Sequence, residues 1–170
     1  MESEAWDNGS AGLTHLYALI GSIASGWSHI ENAVDVTLWK LMGVDAKLGA
    51  CVTSQIQSLA YRLFALASIV KLRGCSKETT RSLNKFIAQA DKLSRDRNRA
   101  IHDPISAGGE IKSITITARH QLVYCLSPDT RQQYEKTDSD IANLLGCYLD
   151  LEKRIFQELE NQVPLPPKRV

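Results

Sequence analysis

The chain has 170 residues, enough for one domain with a single buried core and too few for a multidomain enzyme. Hydrophobic residues make up 44% and charged residues 23%, the balance of an ordinary globular protein. Lys plus Arg number 20 against 19 Asp plus Glu, which excludes a strong overall field gripping nucleic acid by charge alone; a nucleic-acid partner has to meet a local basic patch.

The first ten residues, MESEAWDNGS, are acidic and polar and do not form a secretory signal. They read as part of a flexible segment, 1–12. From Leu13 the apolar series Leu16, Ile20, Ile23, Trp27, Ile30, Val34, Leu38, Leu41 steps by three and four, which predicts one long amphipathic helix stopped by Gly43. Gly21 and Gly26 lie inside it, and each costs about 1 kcal/mol against alanine, so close packing against a neighbour is expected at both.

A second helix is predicted over Ala46–Arg73 on the stripe Val52, Ile56, Leu59, Leu63, Leu66, Val70, with Gly74 as its left-handed stop. A third starts at Ser76 as N-cap with Glu78 in its first turn. It carries Leu83, Phe86, Ile87, Ala90 and Ile101 and must finish near His102, because Pro104 cannot continue it. Beyond Ser106-Ala107-Gly108-Gly109 the period changes. Ile114 and Ile116 alternate with Thr115 and Thr117, and a β-hairpin over 111–126 follows, turning at Arg119-His120. A polar stretch then leads to Asp138 as N-cap of a fourth helix with the stripe Ile141, Leu144, Leu145, Tyr148, Leu151, Ile155, Leu159. Residues 163–170 read as an extended, mobile tail. The expectation is an all-α, up-and-down bundle of four long helices over 13–162, with the hairpin inserted between helices 3 and 4.

The most apolar stretch, Leu59–Val70, contains Arg62 and is too short to span a bilayer, so a soluble, cytoplasmic protein without a membrane partner is expected. Cys51, Cys75, Cys125 and Cys147 include no Cys-x-x-Cys pair and read as free thiols. No His, Cys and carboxylate set has metal spacing, and no cofactor is implied. There is no Gly-rich phosphate loop and no Gly-x-Ser-x-Gly elbow.

Chemistry-bearing side chains concentrate in Arg95-Asp96-Arg97-Asn98-Arg99-Ala100-Ile101-His102. At ~100° per residue Arg97 falls inside the apolar stripe of the third helix and Asn98 at its edge. His102 and Arg95 lie just outside it, next to each other, and Arg99 points further into solvent. An inward arginine requires a paired carboxylate. Glu31, at the edge of the first helix's apolar face, is the best candidate, and such a pair would hold the guanidinium beside His102.

The segment Arg97-Asn98-Arg99-Ala100-Ile101-His102 resembles the signature of the HEPN superfamily, an Arg and a His with four to six residues between them, often with a polar residue after the Arg. Trp27-Ser28-His29-Ile30-Glu31 is also similar to prokaryotic members. The resemblance covers the architecture of 13–161 but only six residues of motif. It implies a homodimer whose two signatures line one cleft and cleave single-stranded RNA without metal. His102 would be general base or acid, Arg97 would stabilise phosphoryl charge, Asn98 would orient His102 or donate to the phosphate, and Arg95 and Arg99 would contact the RNA backbone. It further implies a defence or stress effector, antiviral in kind, with an antitoxin or defence-system partner protein. Members paired with nucleotidyltransferase antitoxins carry a tyrosine two residues after the histidine; Pro104 stands there, so that regulation is not implied. The same residues also admit a structural ion-pair arginine with a helix-terminal histidine, in a non-catalytic dimerisation, RNA-binding or protein-interaction module.

Overall fold

A computed structural model describes residues 3–103, 105–108, 110–113, 115–116, 122–123 and 130–161, with side chains for 12–103 and 130–161. The described residues form five helices: α1 (Ser3–Met42), α2 (Ala46–Thr53), α3 (Leu59–Leu72), α4 (Lys77–His102) and α5 (Thr130–Glu160). The helical class expected from the apolar spacing is therefore observed. No helix among the described residues is long and apolar enough to cross a membrane. The tail 163–170 lies outside the described residues.

Four element boundaries differ from the sequence-based expectation. Helix α1 begins at Ser3, so it takes in most of the segment read as a flexible 1–12. The single second helix is two. Ser58 leaves the helical conformation and caps α3 by accepting from Tyr61 N at 3.3 Å, while Arg62 Nε donates to Ile56 O at 3.0 Å across the break. The spacing Val52, Ile56, Leu59, Leu63 runs on through the break, which concealed it, although Val52 is exposed. Helix α5 starts at Thr130 and leaves Asp138 inside it. Its inward face is extended by Thr130, Tyr134 and Thr137, all buried, in a stretch that reads as polar. The single hairpin over 111–126 is not seen. The backbone pairs instead as two short antiparallel ladders, β1 (Ile105–Gly108) with β2 (Glu110–Ser113), and β3 (Thr115–Ile116) with β4 (Leu122–Val123). Ser106-Ala107-Gly108 has no apolar alternation, so pairing there leaves no period-2 signal to read.

The chain divides into two compact units, Met1–Ser28 with Lys92–Asn143, and His29–Asp91 with Leu144–Val170. In the first, Leu16, Ile23, Trp27, Leu93, Ala100, Tyr134 and Ile141 are buried. Helices α1 and α5 approach closely there: a Cβ at Gly26 would lie 2.8 Å from Ile141 Cγ2. At Gly21 such an atom would meet nothing within 4 Å, so close packing holds at Gly26 only.

The second unit buries Ile30, Val34, Leu38 and Leu41 of α1, Leu63, Leu66 and Val70 of α3, Leu83 and Phe86 of α4, and Tyr148, Leu151 and Ile155 of α5. Phe86 and Tyr148 pack with ring centroids 5.2 Å apart. Gly43 and Gly74 take φ of 68° and 80°, the left-handed stops expected after α1 and α3. Asp45 caps α2 through Lys47 N at 2.8 Å and Leu48 N at 3.0 Å. Gly49 lays α2 backbone directly on the Trp39 indole, whose Nε1 donates to Thr53 Oγ1 at 3.3 Å. Ser76 caps α4 through Thr79 N at 3.1 Å. Glu158 of α5 completes that cap, accepting from Ser76 N at 2.7 Å, Ser76 Oγ at 2.8 Å and Thr79 Oγ1 at 2.6 Å. These donors, the Thr79 hydroxyl foremost, hold the Glu158 carboxyl below its usual range.

Candidate functional site

The inward row of α4 is Leu83, Phe86, Ala90, Leu93, Arg97 and Ala100, spaced by three and four. All are buried except Arg97, which is half-buried. The position is one where the helical period supplies an apolar residue, and the protein places a guanidinium there. Two contacts hold it. Its Cζ lies 5.9 Å from the centroid of the buried Trp27 ring of α1, at the outer reach of a cation–π contact, and Nη1 donates to Asn98 Oδ1 at 2.9 Å. Nε is buried and has no hydrogen-bond partner among the described residues.

Asn98, Arg95, Arg99 and His102 are exposed and lie on one strip of the helix surface, with exposed Asp91 one turn before Arg95 on the same side. The backbone of α4 closes with Asp103 N donating to Arg99 O at 3.0 Å. His102 is five residues after Arg97, about 140° around the helix and about 7.5 Å along it. The two side chains therefore leave the helix in different directions, and no direct contact between them is described. The link runs through Asn98, which is one turn before His102 and about 40° from it. Its carbonyl oxygen accepts from Nη1 of the guanidinium, and its NH2 group has no described acceptor.

Glu31, the expected carboxylate partner, belongs to the other unit, and the partners described for Arg97 are Asn98 and Trp27. Trp27, which reads from sequence as core or dimer interface, is buried, and the spacing gave no sign of the Arg97 guanidinium against its ring. An aromatic residue in an apolar stripe gives no sign of what lies against its face.

A second polar cluster in the same unit was not legible. His15 of α1 lies 3.4 Å from Glu135 Oε1 of α5, and Arg131 Nε donates to that oxygen at 2.8 Å. The Arg131 hydrogen bond, then that of His15, lowers the Glu135 carboxyl. Of the four cysteines, Cys51 and Cys147 are exposed free thiols and Cys75 a half-buried one, with its thiol pushed up chiefly by burial; Cys125 lies outside the described residues. Among the described residues no group of three His, Cys or carboxylate side chains is placed to hold a metal ion.

Comparison with family models, with curated proteins and with solved structures returned no match.

Proposed function

We propose that the chain is a metal-independent endoribonuclease of HEPN type, cleaving single-stranded RNA in a cleft completed by a second copy. The observation that supports this reading is the placement of Arg97. A guanidinium occupies a core position with its Nε left without a hydrogen bond, while its outer edge is drawn to a polar, basic strip that ends in an exposed imidazole. A purely structural arginine at that position would satisfy its buried donors.

In this reading a scissile phosphate lies against Nη1 and Nη2 of Arg97 and the Asn98 NH2 group. His102 of one protomer takes the proton of the ribose 2′-hydroxyl as its oxygen attacks phosphorus. The imidazolium of the second protomer's copy of that histidine protonates the departing 5′ oxygen. The products are a 2′,3′-cyclic phosphate end and a 5′-hydroxyl end. Arg97 stabilises the charge that grows on the phosphoryl oxygens, and Arg95 and Arg99 track the flanking backbone. The biological setting is proposed as a defence or stress response with a partner protein.

The test is incubation of the purified chain with single-stranded RNA in excess EDTA. Cleavage giving cyclic phosphate ends is expected to fall by about 10²–10⁴-fold in His102→Ala, the range of one general acid–base group, and to be abolished in Arg97→Ala. Absence of cleavage on any RNA, with both variants behaving as the parent, refutes the enzyme and leaves a non-catalytic HEPN-like module.

A further inference from the structure

We propose that the outer face of α4 is a track for the sugar-phosphate backbone of single-stranded RNA, built by Lys77, Arg81, Lys85 and Lys92 and running on into Arg95 and Arg99. Helix α4 holds seven of the chain's 20 Lys and Arg but three of its 19 Asp and Glu, so the remainder of the chain is net acidic. Six of the seven fall on one side of this continuous helix. At ~100° per residue, positions 77, 81, 85, 92, 95 and 99 lie within an arc of about 80°. That arc is opposite the buried row Leu83, Phe86, Ala90 and Leu93, and all six cations are exposed. The helix's own carboxylates stand at its margins, Glu78 and Asp96 on one side and Asp91 on the other, and Asp103 follows its last turn. Glu78 faces Arg154 of α5 at 3.6 Å.

This spacing works against the helix itself. Lys77 and Arg81, Arg81 and Lys85, and Arg95 and Arg99 are like charges four residues apart, and such pairs repel; a helix arranged for its own stability alternates the signs. Among the described residues, Lys77, Arg81, Lys85 and Lys92 have no carboxylate partner. A polyanion supplies one: each cation meets a phosphate and its counterions are released. From 77 to 99 the row extends about 33 Å, a length suited to an extended polymer. An anionic membrane fits less well. The apolar side of α4 is buried in the protein, and Ala88 is the one apolar residue within the row, so nothing there enters a bilayer. Nor does the row hold an aromatic ring, so its contacts go to phosphates rather than stacked bases and carry no sequence preference. The identity of the polymer rests on the ribonuclease reading: Arg95, at the row's far end, adjoins His102, so a strand held along α4 is led to the place where cleavage is proposed.

Fluorescence anisotropy of the full chain with a labelled 20-nucleotide RNA tests it. The RNA carries 2′-O-methyl sugars, which block the attacking hydroxyl, so binding is read apart from cleavage. Arg81→Glu/Lys92→Glu is expected to weaken binding at least tenfold in 50 mM salt. It should also lower the slope of log affinity against log salt by about 1.4, two phosphate contacts at about 0.7 each. Its melting temperature should not fall, because Arg81→Glu turns two repulsive pairs into attractive ones. Lys47→Glu/Lys136→Glu, the same charge change at exposed sites off α4, should bind within about twofold of the parent. The track is overturned by a parent that does not bind this RNA, by an α4 pair that binds as the parent does, or by equal losses in both pairs. Capture by anionic phospholipid vesicles without RNA binding overturns it too. Binding that depends on the α4 pair, in a chain that cleaves no unmodified RNA, refutes the nuclease and upholds the track.

Discussion

Two glycines five residues apart on α1 are expected to respond to the same substitution with opposite signs. Replacing a mid-helix glycine by alanine removes unfolded-chain entropy and gains about 1 kcal/mol of helix propensity, provided the new methyl has room. At Gly21 it has: nothing lies within 4 Å of the added atom. Gly21→Ala should therefore stabilise by about 1 kcal/mol, or roughly 2–4 °C in melting temperature for a chain of this size. At Gly26 the methyl would sit 2.8 Å from Ile141 Cγ2, and Ile141 is 1% exposed, so its branch has nowhere to retreat. Forcing a methylene into a filled core costs about 1–3 kcal/mol, which cancels or exceeds the propensity gain. The two variants should differ by about 1–3 kcal/mol in urea unfolding at equal m-value, as the combination of those two effects. A double-mutant cycle identifies the cause. Ile141→Leu moves the branch off Cβ at nearly constant volume, and Gly26→Ala in that background should recover at least about 1 kcal/mol of coupling. If Gly26→Ala stabilises as Gly21→Ala does, the close approach of α1 and α5 does not exist.

At Gly49, alanine would drive a methyl into the Trp39 indole, so Gly49→Ala should destabilise by about 2–3 kcal/mol and shift tryptophan emission; an unchanged spectrum and midpoint would remove the α2–Trp39 contact. Glu158→Gln should cost about 1–2 kcal/mol at pH 7 by weakening the α4 cap. The Glu158 carboxyl is depressed below its ordinary value of 4.5, so its contribution is complete above that pH and disappears as pH falls through the lowered folded value. Parent and Glu158→Gln stability curves should accordingly converge on acidification, and a constant gap down to strong acid would contradict the assignment.

Where the sequence was legible, one physical signal dominated. The 3–4 spacing of Leu16, Ile20, Ile23, Trp27, Ile30, Val34, Leu38 and Leu41 marks a face that is buried at every position but Ile20, and Gly43 and Gly74 announce their stops because a positive φ favours glycine. The same signal misled at α2 and α3, since 52, 56, 59 and 63 keep helical spacing while the backbone between them turns. It fell silent at Thr130, Tyr134 and Thr137, where buried positions carry hydroxyls. In α4 the spacing correctly placed Arg97 on the inward face. Which groups it meets there depended on Trp27, seventy positions earlier in the chain, and on a rotamer that brings Nη1 to its own neighbour Asn98. Contacts of that kind have no periodicity to read.

That placement also yields a test of whether Arg97 serves stability or something else. An arginine kept for the fold should lose stability when replaced by an apolar isostere, because its charge contacts vanish. Arg97 has weak reasons of that kind: a ring contact at 5.9 Å, one bond to an exposed amide, and a buried Nε with no acceptor. A stacked guanidinium contributes about 0.5–1 kcal/mol, whereas a buried donor left unmade costs about 1–3 kcal/mol. Methionine would continue the Leu93–Ala100 row, cover the Trp27 face and remove the orphaned donor. Arg97→Met is therefore expected to raise the melting temperature by a few degrees, on the order of 1 kcal/mol, while abolishing any RNA cleavage. Stability bought back by deleting a side chain is the mark of a group retained for what it does to a ligand. A loss of 2 kcal/mol or more in Arg97→Met would instead make the guanidinium part of the scaffold, and the case for a reactive centre at the end of α4 would then rest on His102 alone.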